Sequence, residues 1–341
     1  MGNKKKTTIK DIANVLGITP SAVSKALNNH PRISQQTKDA VIQVAENLNY
    51  QPNHLASALR KGKSNLVGVI IPRANSNFFS SIIEKIEDIL NVEGYNVIIS
   101  QSNESFEKEC RSIDALLFTQ VDGIIASMAN ETIKLNYYNK IKQKGIPLVM
   151  FDRGENDLNV DYVGIDDYMS SQIVIDHLVE QGCKRIAHIS GFSHTRIYKN
   201  RIRGYVDALK KHNLNVEDEL IYECKLSKRE GKEIMKKILN LPLKPDGVFV
   251  SSDYAALGAL EVLKDENIRV PEDIALVGFS NEPFSAIVNP GISSIEQHSE
   301  KIGELAAKTF LERIANPEKE VTLNKMILKP ELIVRASSKR F

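Results

Sequence analysis

Nine short apolar runs, each rich in Val, Ile or Leu, recur between residues 66 and 279, and amphipathic stretches separate them. In chain order they read LVGVIIP, YNVIIS, DGIIAS, PLVMFD, YVGID, RIAHIS, LIYEC, DGVFVSS and DIALVGF. Apolar runs that alternate with helices are typical of parallel strands covered by helices on both faces. Helices are expected between the runs, for example over 79–92 and 170–181. Nine such strands favour an α/β body with two doubly wound parallel sheets over a single sheet.

Polar and aromatic side chains follow several of these runs, at the strand ends where doubly wound sheets bind ligands. Two sheets that face each other would form a cleft there. The candidates to contact a small molecule in that cleft are Phe78, Phe79, Asp152, Arg201, Asp253, Ser280, Asn281 and Gln297. An aromatic face stacks on a sugar or base ring, a carboxylate accepts hydroxyl hydrogen bonds, and a guanidinium offers a planar set of donors. The simpler alternatives are that Asp253 only caps the next helix and that Arg201 only pairs with an acid.

The first fifty residues follow a different pattern, and TIKDIANVLGITPSAVSKALNN predicts two short helices joined by a tight turn. Thr8 opens a capping box, and Gly17 ends the first helix. Thr19 caps the second helix, which has Pro20 at its first position. A third helix is expected from near Ser34. Three short helices around one small core form an all-α helix-turn-helix headpiece.

The charge distribution favours a nucleic-acid partner for this headpiece. Residues 1–65 carry ten Lys or Arg and three acids, a net charge of +7, whereas the remainder carries 35 basic and 40 acidic residues, a net charge of −5. A basic segment on a mildly acidic body is typical of a polyanion-binding module, and a solvated basic tail is the alternative. The second helix would enter the major groove of DNA. Its outward-facing residues are Pro20, Ser21, Ser24, Lys25 and Asn28. A three-helix bundle that only caps a neighbour is the competing interpretation.

The next stretch, YQPNHLASALRKGKS, predicts a helix of about two turns, which is too short to persist alone in water. Asn53 can begin this helix and Gly62 can end it. A symmetric second copy together with DNA would supply the missing contacts. Leu59 beside Arg60 suits an apolar wedge for the minor groove. The alternative is an ordinary linker between domains.

These motifs identify the chain as similar to the LacI/GalR family of transcription repressors. The resemblance rests on TIKDIANVLGITPSAVSKALN, RISQQTKDAVIQVAENLNYQPN, ASALRKGKSNLVGVIIP and VGFSN, and it runs from about residue 7 to the end of the chain. It implies that Pro20, Ser21 and Lys25 read the operator, and that Leu59 is the lever of a hinge helix with Ala56 and Arg60 beside it in the minor groove. Pro20 departs from the family in chemistry because it has no N–H to donate to a base.

The resemblance also implies a body similar to periplasmic sugar-binding proteins. It places the headpiece at 1–52, the hinge helix at 53–63 and the effector-binding and dimerisation domain at 64–341. Within that domain it implies an N-subdomain of about 64–165 plus 295–325 and a C-subdomain of about 166–294 plus 326–341. The eight candidate cleft residues match effector-pocket positions of the family. Ser280 departs from the acidic residue that is common at its position.

The sequence contains none of the tested signatures of an enzyme. No GxGxxG follows the first apolar run, and no phosphate loop, CxxC or HExxH occurs, so we expect no catalytic residue, no resident cofactor and no metal site. SGFSH lacks the second glycine of a nucleophile elbow. A sugar-modifying domain fused to a DNA-binding head is the remaining enzyme hypothesis. A periplasmic transport receptor is a further alternative for the body alone.

The cellular setting follows from what the chain contains. The N-terminus MGNKKKTT has no apolar secretion signal, and no apolar run approaches the roughly 20 residues of a membrane helix. Cys110, Cys183 and Cys224 are scattered, which favours reduced thiols. We therefore expect a protein of the cytoplasm and nucleoid that does not bind membranes.

Together these patterns predict a homodimeric transcriptional repressor that binds a pseudo-palindromic operator in double-stranded DNA. Its operator affinity would be controlled by a small effector held in the cleft between the two α/β subdomains. A sugar or sugar phosphate is the leading expectation for that effector. A purine-type ligand and a protein cofactor are the alternatives.

Overall fold

A computed structural model of the chain describes residues 7–50, 63–316 and 323–341. The chain separates into a headpiece unit, Met1–Ser64, and a body, Asn65–Phe341. No helix in the described ranges is long and apolar enough to cross a membrane.

The headpiece contains the three helices that its caps predict: α1 (Ile9–Leu16), α2 (Pro20–Leu27) and α3 (Gln35–Asn47). Thr8 and Asp11 form the predicted capping box, and Gly17 ends α1 with a φ of 64°. Thr19 Oγ1 accepts a hydrogen bond from the N–H of Ala22 at 3.1 Å, which caps α2. Within residues 7–50, the buried core of this unit consists of six small or branched side chains, Ile12, Ala13, Val23, Ala26, Val41 and Ala45.

The body contains two six-stranded sheets covered by helices. The first sheet has the order β11-β5-β4-β3-β1-β2, and all of its strands are parallel. Its strands are β1 (Leu66–Ile71), β2 (Asn96–Gln101), β3 (Gly123–Ala126), β4 (Leu148–Phe151), β5 (Asp161–Ile165) and β11 (Lys325–Leu328). Its helices are α4 (Asn77–Val92), α5 (Phe106–Phe118), α6 (Asn136–Gln143) and α12 (Ser299–Ala315).

The second sheet has the order β12-β10-β9-β8-β6-β7 and is parallel except for the antiparallel edge pair of β10 and β12. Its strands are β6 (Ile186–Ser190), β7 (Ile221–Glu223), β8 (Gly247–Val250), β9 (Ala275–Phe279), β10 (Ser293–Glu296) and β12 (Glu331–Ile333). The helices of this half are α7 (Asp167–Glu180), α8 (Arg196–Lys211), α9 (Lys228–Leu239), α10 (Asp253–Asp265) and α11 (Phe284–Ile287).

The nine apolar runs correspond to β1–β9, and β10–β12 are strands that the sequence pattern did not indicate. Two of the three additional strands, β11 and β12, lie at sheet edges with positions that are exposed or half-buried, and β10 has the largely polar sequence SSIE. These segments lack the continuous apolar run that marks a buried parallel strand.

The strands β10–β12 also determine how the two halves connect. The chain passes from the first sheet to the second after β5, returns after β10, and passes back between β11 and β12.

The strand order brings the functional loops together. The carboxyl ends of β1, β3 and β4 lie at one edge of the first sheet, and those of β6, β8 and β9 lie at one edge of the second. A common cavity is lined by the segments that follow β1, β2, β4, β6, β7, β8, β9 and β10. Buried strands such as β4 and β9 hold these loops on a packed base.

Candidate functional site

The headpiece presents the five predicted DNA-contacting residues on one side of α2. Pro20, Ser21, Lys25 and Asn28 are exposed and Ser24 is half-buried. Their spacing of one, three, one and three residues keeps them on neighbouring turns of a helix. Asn28 donates from Nδ2 to the carbonyl of Ser24 at 2.7 Å, which holds its side chain along the helix. Ala56, Leu59 and Arg60, the predicted hinge residues, lie outside the described residues.

The body encloses a cavity of about 90 Å³ between its two sheets. Six of the eight predicted effector residues line it: Phe78, Phe79, Asp152, Arg201, Ser280 and Gln297. Clefts that hold a drug-sized ligand usually measure roughly 300–1,000 Å³. The loops of the two sheets are therefore closed against each other.

Direct hydrogen bonds across the cleft hold these loops together. Glu282, from the loop after β9, accepts from Ser76 Oγ at 2.7 Å and from the N–H of Asn77 at 3.1 Å, so its carboxylate lies at the N-terminus of α4. A carboxylate at this position is favoured by the unpaired N–H groups of the first helical turn. Tyr254 donates its hydroxyl to the carbonyl of Asn75 at 2.8 Å across the same gap.

Phe78 and Phe79 form the aromatic wall of the cavity. Their ring centroids are 5.1 Å apart and the rings are inclined by 72°, an edge-to-face arrangement that fixes both side chains. Both residues are buried, because they belong to the first turn of α4 and pack into the core of the body.

Asp152 supplies an acceptor with few partners of its own. The residue is buried, and its Oδ2 accepts one long hydrogen bond, 3.3 Å, from Ser127 Oγ. Arg153 Nε lies 3.8 Å from the same oxygen. Burial raises the pKa of Asp152 although the nearby guanidiniums of Arg153 and Arg201 oppose that shift. The carboxyl group retains capacity for a ligand hydroxyl.

Arg201 is buried and ion-paired, as the simpler alternative in the sequence analysis describes. Its Nε and Nη2 both lie 2.8 Å from Asp167 Oδ1, and its guanidinium carbon is 3.5 Å from the centroid of the Phe279 ring. Burial raises the pKa of Asp167 to about 6 even with Arg201 beside it. Arg201 therefore lines the cavity with a guanidinium whose charge is already balanced by Asp167.

Gln297 carries an acceptor without a partner. Only 3% of the residue is exposed, its Nε2 donates to Ser280 Oγ at 2.9 Å, and its Oε1 has no hydrogen bond. A buried polar atom without a partner costs free energy, about 1–3 kcal/mol, unless a ligand or water satisfies it. The orphan carbonyl oxygen of Gln297 thus marks a point where a bound molecule would donate.

Asp253 and Asn281 do not line this cavity. Asp253 is fully buried behind it, where it accepts from Ser294 Oγ at 2.8 Å and from the N–H of Glu282 at 2.8 Å, and burial raises its pKa to about 7. It is the first residue of α10, and its contacts fix the loop that carries Glu282. Asn281 lines a neighbouring polar groove and is bonded to Glu296 and Arg335.

The structure adds further polar residues to the cavity that the sequence analysis did not identify: Arg73, Glu104, Arg153, Tyr198, Tyr254 and Glu282. Arg153 directly follows Asp152 and Tyr254 directly follows Asp253, so their positions beside strand ends were a usable signal. Glu104 follows β2 in the same manner. Their pairing had no signal in the sequence, because the partners are far apart along the chain.

Several residues in the loops that border the cleft adopt left-handed backbone conformations that non-glycine residues use rarely. Asn103 and Glu104 have φ angles of 51° and 62°, Asp152 has 53°, and Ser280 and Asn281 have 103° and 47°. Such conformations persist where the surrounding structure imposes them, and they cluster at functional sites. Their concentration in the loops that border the cleft supports this region as the ligand site.

Comparison with known proteins gives the chain its family. The family model of the bacterial regulatory proteins of the LacI family matches residues 8–53, and that of a periplasmic binding protein-like domain matches residues 175–338. The chain is 31% identical to the probable HTH-type transcriptional repressor ExuR of Bacillus subtilis, with 98% of each chain covered. It is 32% identical to catabolite control protein A of Priestia megaterium, with 91% of this chain and 93% of the relative covered.

A solved complex of the transcriptional regulator CelR with cellobiose has the same fold, with a TM-score of 0.74 and 25% identity over 97% of this chain and 100% of CelR. The matches extend across the headpiece and the body, so they confirm the predicted fold class and family. The chain belongs to the LacI family of bacterial regulatory proteins, and it is an effector-controlled, DNA-binding transcriptional repressor rather than an enzyme.

Proposed function

We propose that two copies of this chain bind a pseudo-palindromic operator and that a small molecule in the cleft controls this binding. The observation that carries the effector assignment is the cavity between the two sheets, with a nearly unpartnered carboxylate at Asp152 and an unpartnered carbonyl oxygen at Gln297. Both groups accept hydrogen bonds, and aromatic walls at Phe78 and Phe79 suit a flat ring face. These features favour a hydroxyl-bearing ligand.

A sugar or sugar phosphate is the leading candidate for the effector. The similarity to the CelR–cellobiose complex supports a carbohydrate, because that regulator binds a sugar on the same fold. A purine-type ligand is the alternative, since an aromatic wall stacks on bases as well. A protein cofactor is the third possibility, and the similarity to a catabolite control protein supports keeping it.

We assign DNA contacts to α2 and to the segment that follows the headpiece. Pro20, Ser21 and Lys25 would reach base edges, and Ser24 and Asn28 would position the helix on phosphate groups. In the segment outside the described residues, Ala56, Leu59 and Arg60 would enter the minor groove, where an apolar wedge opens a base step.

The domain organisation that we propose follows the strand connections. Residues 1–52 form the headpiece, 53–63 a hinge helix, and 64–341 the effector-binding and dimerisation domain. Because β11 pairs with β5, we place the last passage between subdomains after Leu328 instead of after residue 325. A repressor of this kind acts in the bacterial cytoplasm, at the nucleoid.

Control of DNA binding would depend on how firmly the cleft is closed. Ser76–Glu282, Asn75–Tyr254 and Arg73–Lys225 join the two halves directly, the last through the Lys225 carbonyl at 3.0 Å. A ligand that binds between these loops changes the balance between closed and open clefts. A coupling free energy of about 1–3 kcal/mol between the two sites changes operator affinity 5–150-fold.

The test uses Asp152→Asn in the full-length protein. We expect this variant to bind operator DNA as the wild type does. The effector concentration needed to change operator binding should be at least about tenfold higher than for the wild type, because an amide oxygen is a weaker acceptor than a carboxylate. The measurement is fluorescence anisotropy of a labelled operator fragment, selected from random duplex, during titration with sugars, sugar phosphates and purines.

Asp157→Asn is the matched control, because it removes the same charge from the 3₁₀ turn 156–158, outside the cavity lining. It should respond to effector as the wild type does. The proposal is wrong if Asp152→Asn retains the full response, or if the wild type shows no preference for any palindromic fragment over random duplex.

A further inference from the structure

The second carboxylate of the cavity, Glu104, neutralises two guanidiniums at once. Its Oε2 lies 2.7 Å from Arg153 Nη1, and its Oε1 lies 3.1 Å from Arg73 Nε. The N–H of Asn130 donates to Oε2 at 2.9 Å, so the carboxylate is anchored to the backbone as well. Burial alone would raise the pKa of Glu104, but the two guanidiniums outweigh it and the pKa is lowered. Glu104 is therefore a carboxylate anion inside the cleft.

The backbone at Glu104 shows that this placement is imposed by the fold. Glu104 and the preceding Asn103 both have positive φ angles, 62° and 51°. Two consecutive non-glycine residues in this conformation are uncommon. The conformation turns the chain after β2 so that the Glu104 side chain reaches Arg153 and Arg73 instead of solvent.

The other charged groups at the cleft are also matched. Arg201 is paired with Asp167, and Glu282 is held at the N-terminus of α4. The cleft thus holds three guanidiniums and four carboxylates. The guanidiniums are those of Arg73, Arg153 and Arg201, and the carboxylates are those of Glu104, Asp152, Asp167 and Glu282. Lys225 lies at the exposed rim, 3.7 Å from Glu131, where solvent screens its charge. Within the part of the chain that the structure describes, the cavity offers a ligand no guanidinium without a counter-ion.

An incoming anion would have to displace a group that is covalently held in place. The carboxylate of Glu104 is present at a high effective concentration, so a free phosphate or carboxylate competes poorly with it. Displacement would also leave a buried carboxylate without its ion pair, which is costly. The open acceptors at Asp152 and Gln297 repel or fail to satisfy an anion and bind hydroxyl donors instead. Arg153 Nε is a buried donor without a hydrogen bond, but it lies beside the Asp152 carboxylate at 3.8 Å.

We propose, on the basis of the effector function proposed above, that Glu104 determines the charge specificity of the cleft: this repressor takes an uncharged, hydroxyl-bearing ring and rejects its phosphorylated or carboxylated counterparts. Free sugars and nucleosides share this chemistry, whereas sugar phosphates, uronic acids and nucleotides do not. Glu104 acts by occupying the two guanidiniums that would otherwise receive an anion.

The experiment compares wild type and Glu104→Gln as full-length proteins at one protein concentration. The measured quantity is the ligand concentration that gives a fixed rise in melting temperature of the body. The probes are glucose, glucose 6-phosphate, glucuronate, ribose, ribose 5-phosphate, adenosine and adenosine monophosphate. We expect the wild type to respond only to uncharged members of this set. A response to glucose or ribose would indicate a free sugar as the effector, and a response to adenosine would indicate a nucleoside. In Glu104→Gln at least one charged probe should act at a concentration about tenfold lower than in the wild type, because Arg73 loses its counter-ion and Arg153 keeps the more distant Asp152, at 3.8 Å.

Glu107→Gln is the control. Glu107 lies on α5 with 80% of its side chain exposed and pairs with Arg111 in the next turn, so the response to anions should not change. If Glu104→Gln does not fold, Glu104→Asn serves in its place, because Asn tolerates a positive φ better than Gln does.

The inference is overturned if a charged probe stabilises the wild type at the same concentration as its uncharged parent. It is also overturned if wild type and Glu104→Gln give the same response to every anion, including no response. The proposed effector function fails by a different result, namely that no compound alters operator binding and that Asp152→Asn behaves as the wild type does.

Discussion

The headpiece and the cleft place their functional side chains in opposite ways. In α2 the proposed DNA contacts are mostly exposed, and the helix that carries them is fixed by neighbours such as Thr19. In the cleft the side chains are buried and depend on distant partners, since Arg153 is 49 residues from Glu104 and Glu282 is 206 residues from Ser76. A local motif can therefore be recognised in a sequence, whereas a site built from remote pairs becomes visible only in the folded chain.

The same difference predicts how each region responds to substitution. An exposed side chain contributes little to folding and much to binding. A buried ion pair affects folding and binding together, because removing one partner leaves the other uncompensated.

The largest effect is expected at the buried ion pair of the body. Arg201→Ala removes the partner of Asp167, and we expect a loss of about 3–5 kcal/mol in the free energy of unfolding of the body at pH 8. The measurement is denaturant unfolding at fixed protein concentration.

The loss should be smaller at pH 5. Burial raises the pKa of Asp167 to about 6 with Arg201 present, and it rises further without Arg201, so the folded variant keeps Asp167 protonated and neutral at low pH. Between the ordinary pKa of an unfolded Asp and the raised pKa of Asp167 in the folded variant, the unfolded state releases the proton first, so the free energy of unfolding falls as pH increases. Lys211→Ala, at an exposed pair on the same helix, should change stability by less than about 1 kcal/mol. Equal losses for both variants would show that burial does not separate the two pairs.

The next effect concerns the small core of the headpiece. Ile12→Ala removes a fully buried side chain, and such truncations cost about 2–5 kcal/mol. Because units of this size rarely have more than about 3–5 kcal/mol of stability, we expect the headpiece to unfold and operator binding to be lost. Ligand-induced stabilisation of the body should remain, which separates the two regions.

Val15→Ala on the same helix is the matched control, since Val15 is 61% exposed. Its operator affinity should stay close to that of the wild type. Loss of the body's ligand response in Ile12→Ala would contradict the expectation that the body folds and binds ligand without a folded headpiece. Circular dichroism together with anisotropy of labelled operator provides both readouts.

The smallest effect is expected on the exposed face of α2. Lys25→Ala should weaken binding to the selected operator by about 1–3 kcal/mol and relax its sequence preference, because a contact to a base edge has this value. The melting temperature of the protein should be unchanged. Competition between operator and random duplex measures the preference.

Lys10→Ala tests whether any lost charge on the headpiece has the same consequence. Lys10 is exposed on α1 and outside the proposed reading face. We expect this variant to leave sequence preference intact. If both lysine variants weaken operator and random duplex equally, Lys25 contacts phosphate and not bases.

Much of the fold could be predicted from the sequence because its signals are local. Caps at Thr8 and Thr19 bounded the headpiece helices, and the apolar runs corresponded to β1–β9. The strands β10–β12 could not be predicted, because β10 is largely polar in sequence and β11 and β12 are partly exposed edge strands, so none of them has the continuous apolar run that marks β1–β9.

The cleft could be predicted only in part. Asp152 was identified from its position after an apolar run and Gln297 as a match to an effector-pocket position of the family, and both lie in the cavity. Asp253 had the same kind of signal, but its carboxyl group is used to fix a neighbouring loop. Glu104 was not identified, since its role depends on a backbone turn and on two arginines that the fold brings to it.

The positive φ angles of the cleft loops restrict how its ligand preference can change during evolution. At Glu104, Asp152 and Ser280 a β-branched or bulky replacement would strain the backbone, whatever its effect on ligand binding. Asn, Asp and Gly are the exchanges that such positions tolerate most easily. New ligand preferences are therefore expected to arise first at cavity residues with ordinary helical backbone, such as Phe79 and Tyr198. The positions with positive φ are expected to vary among only a few residue types.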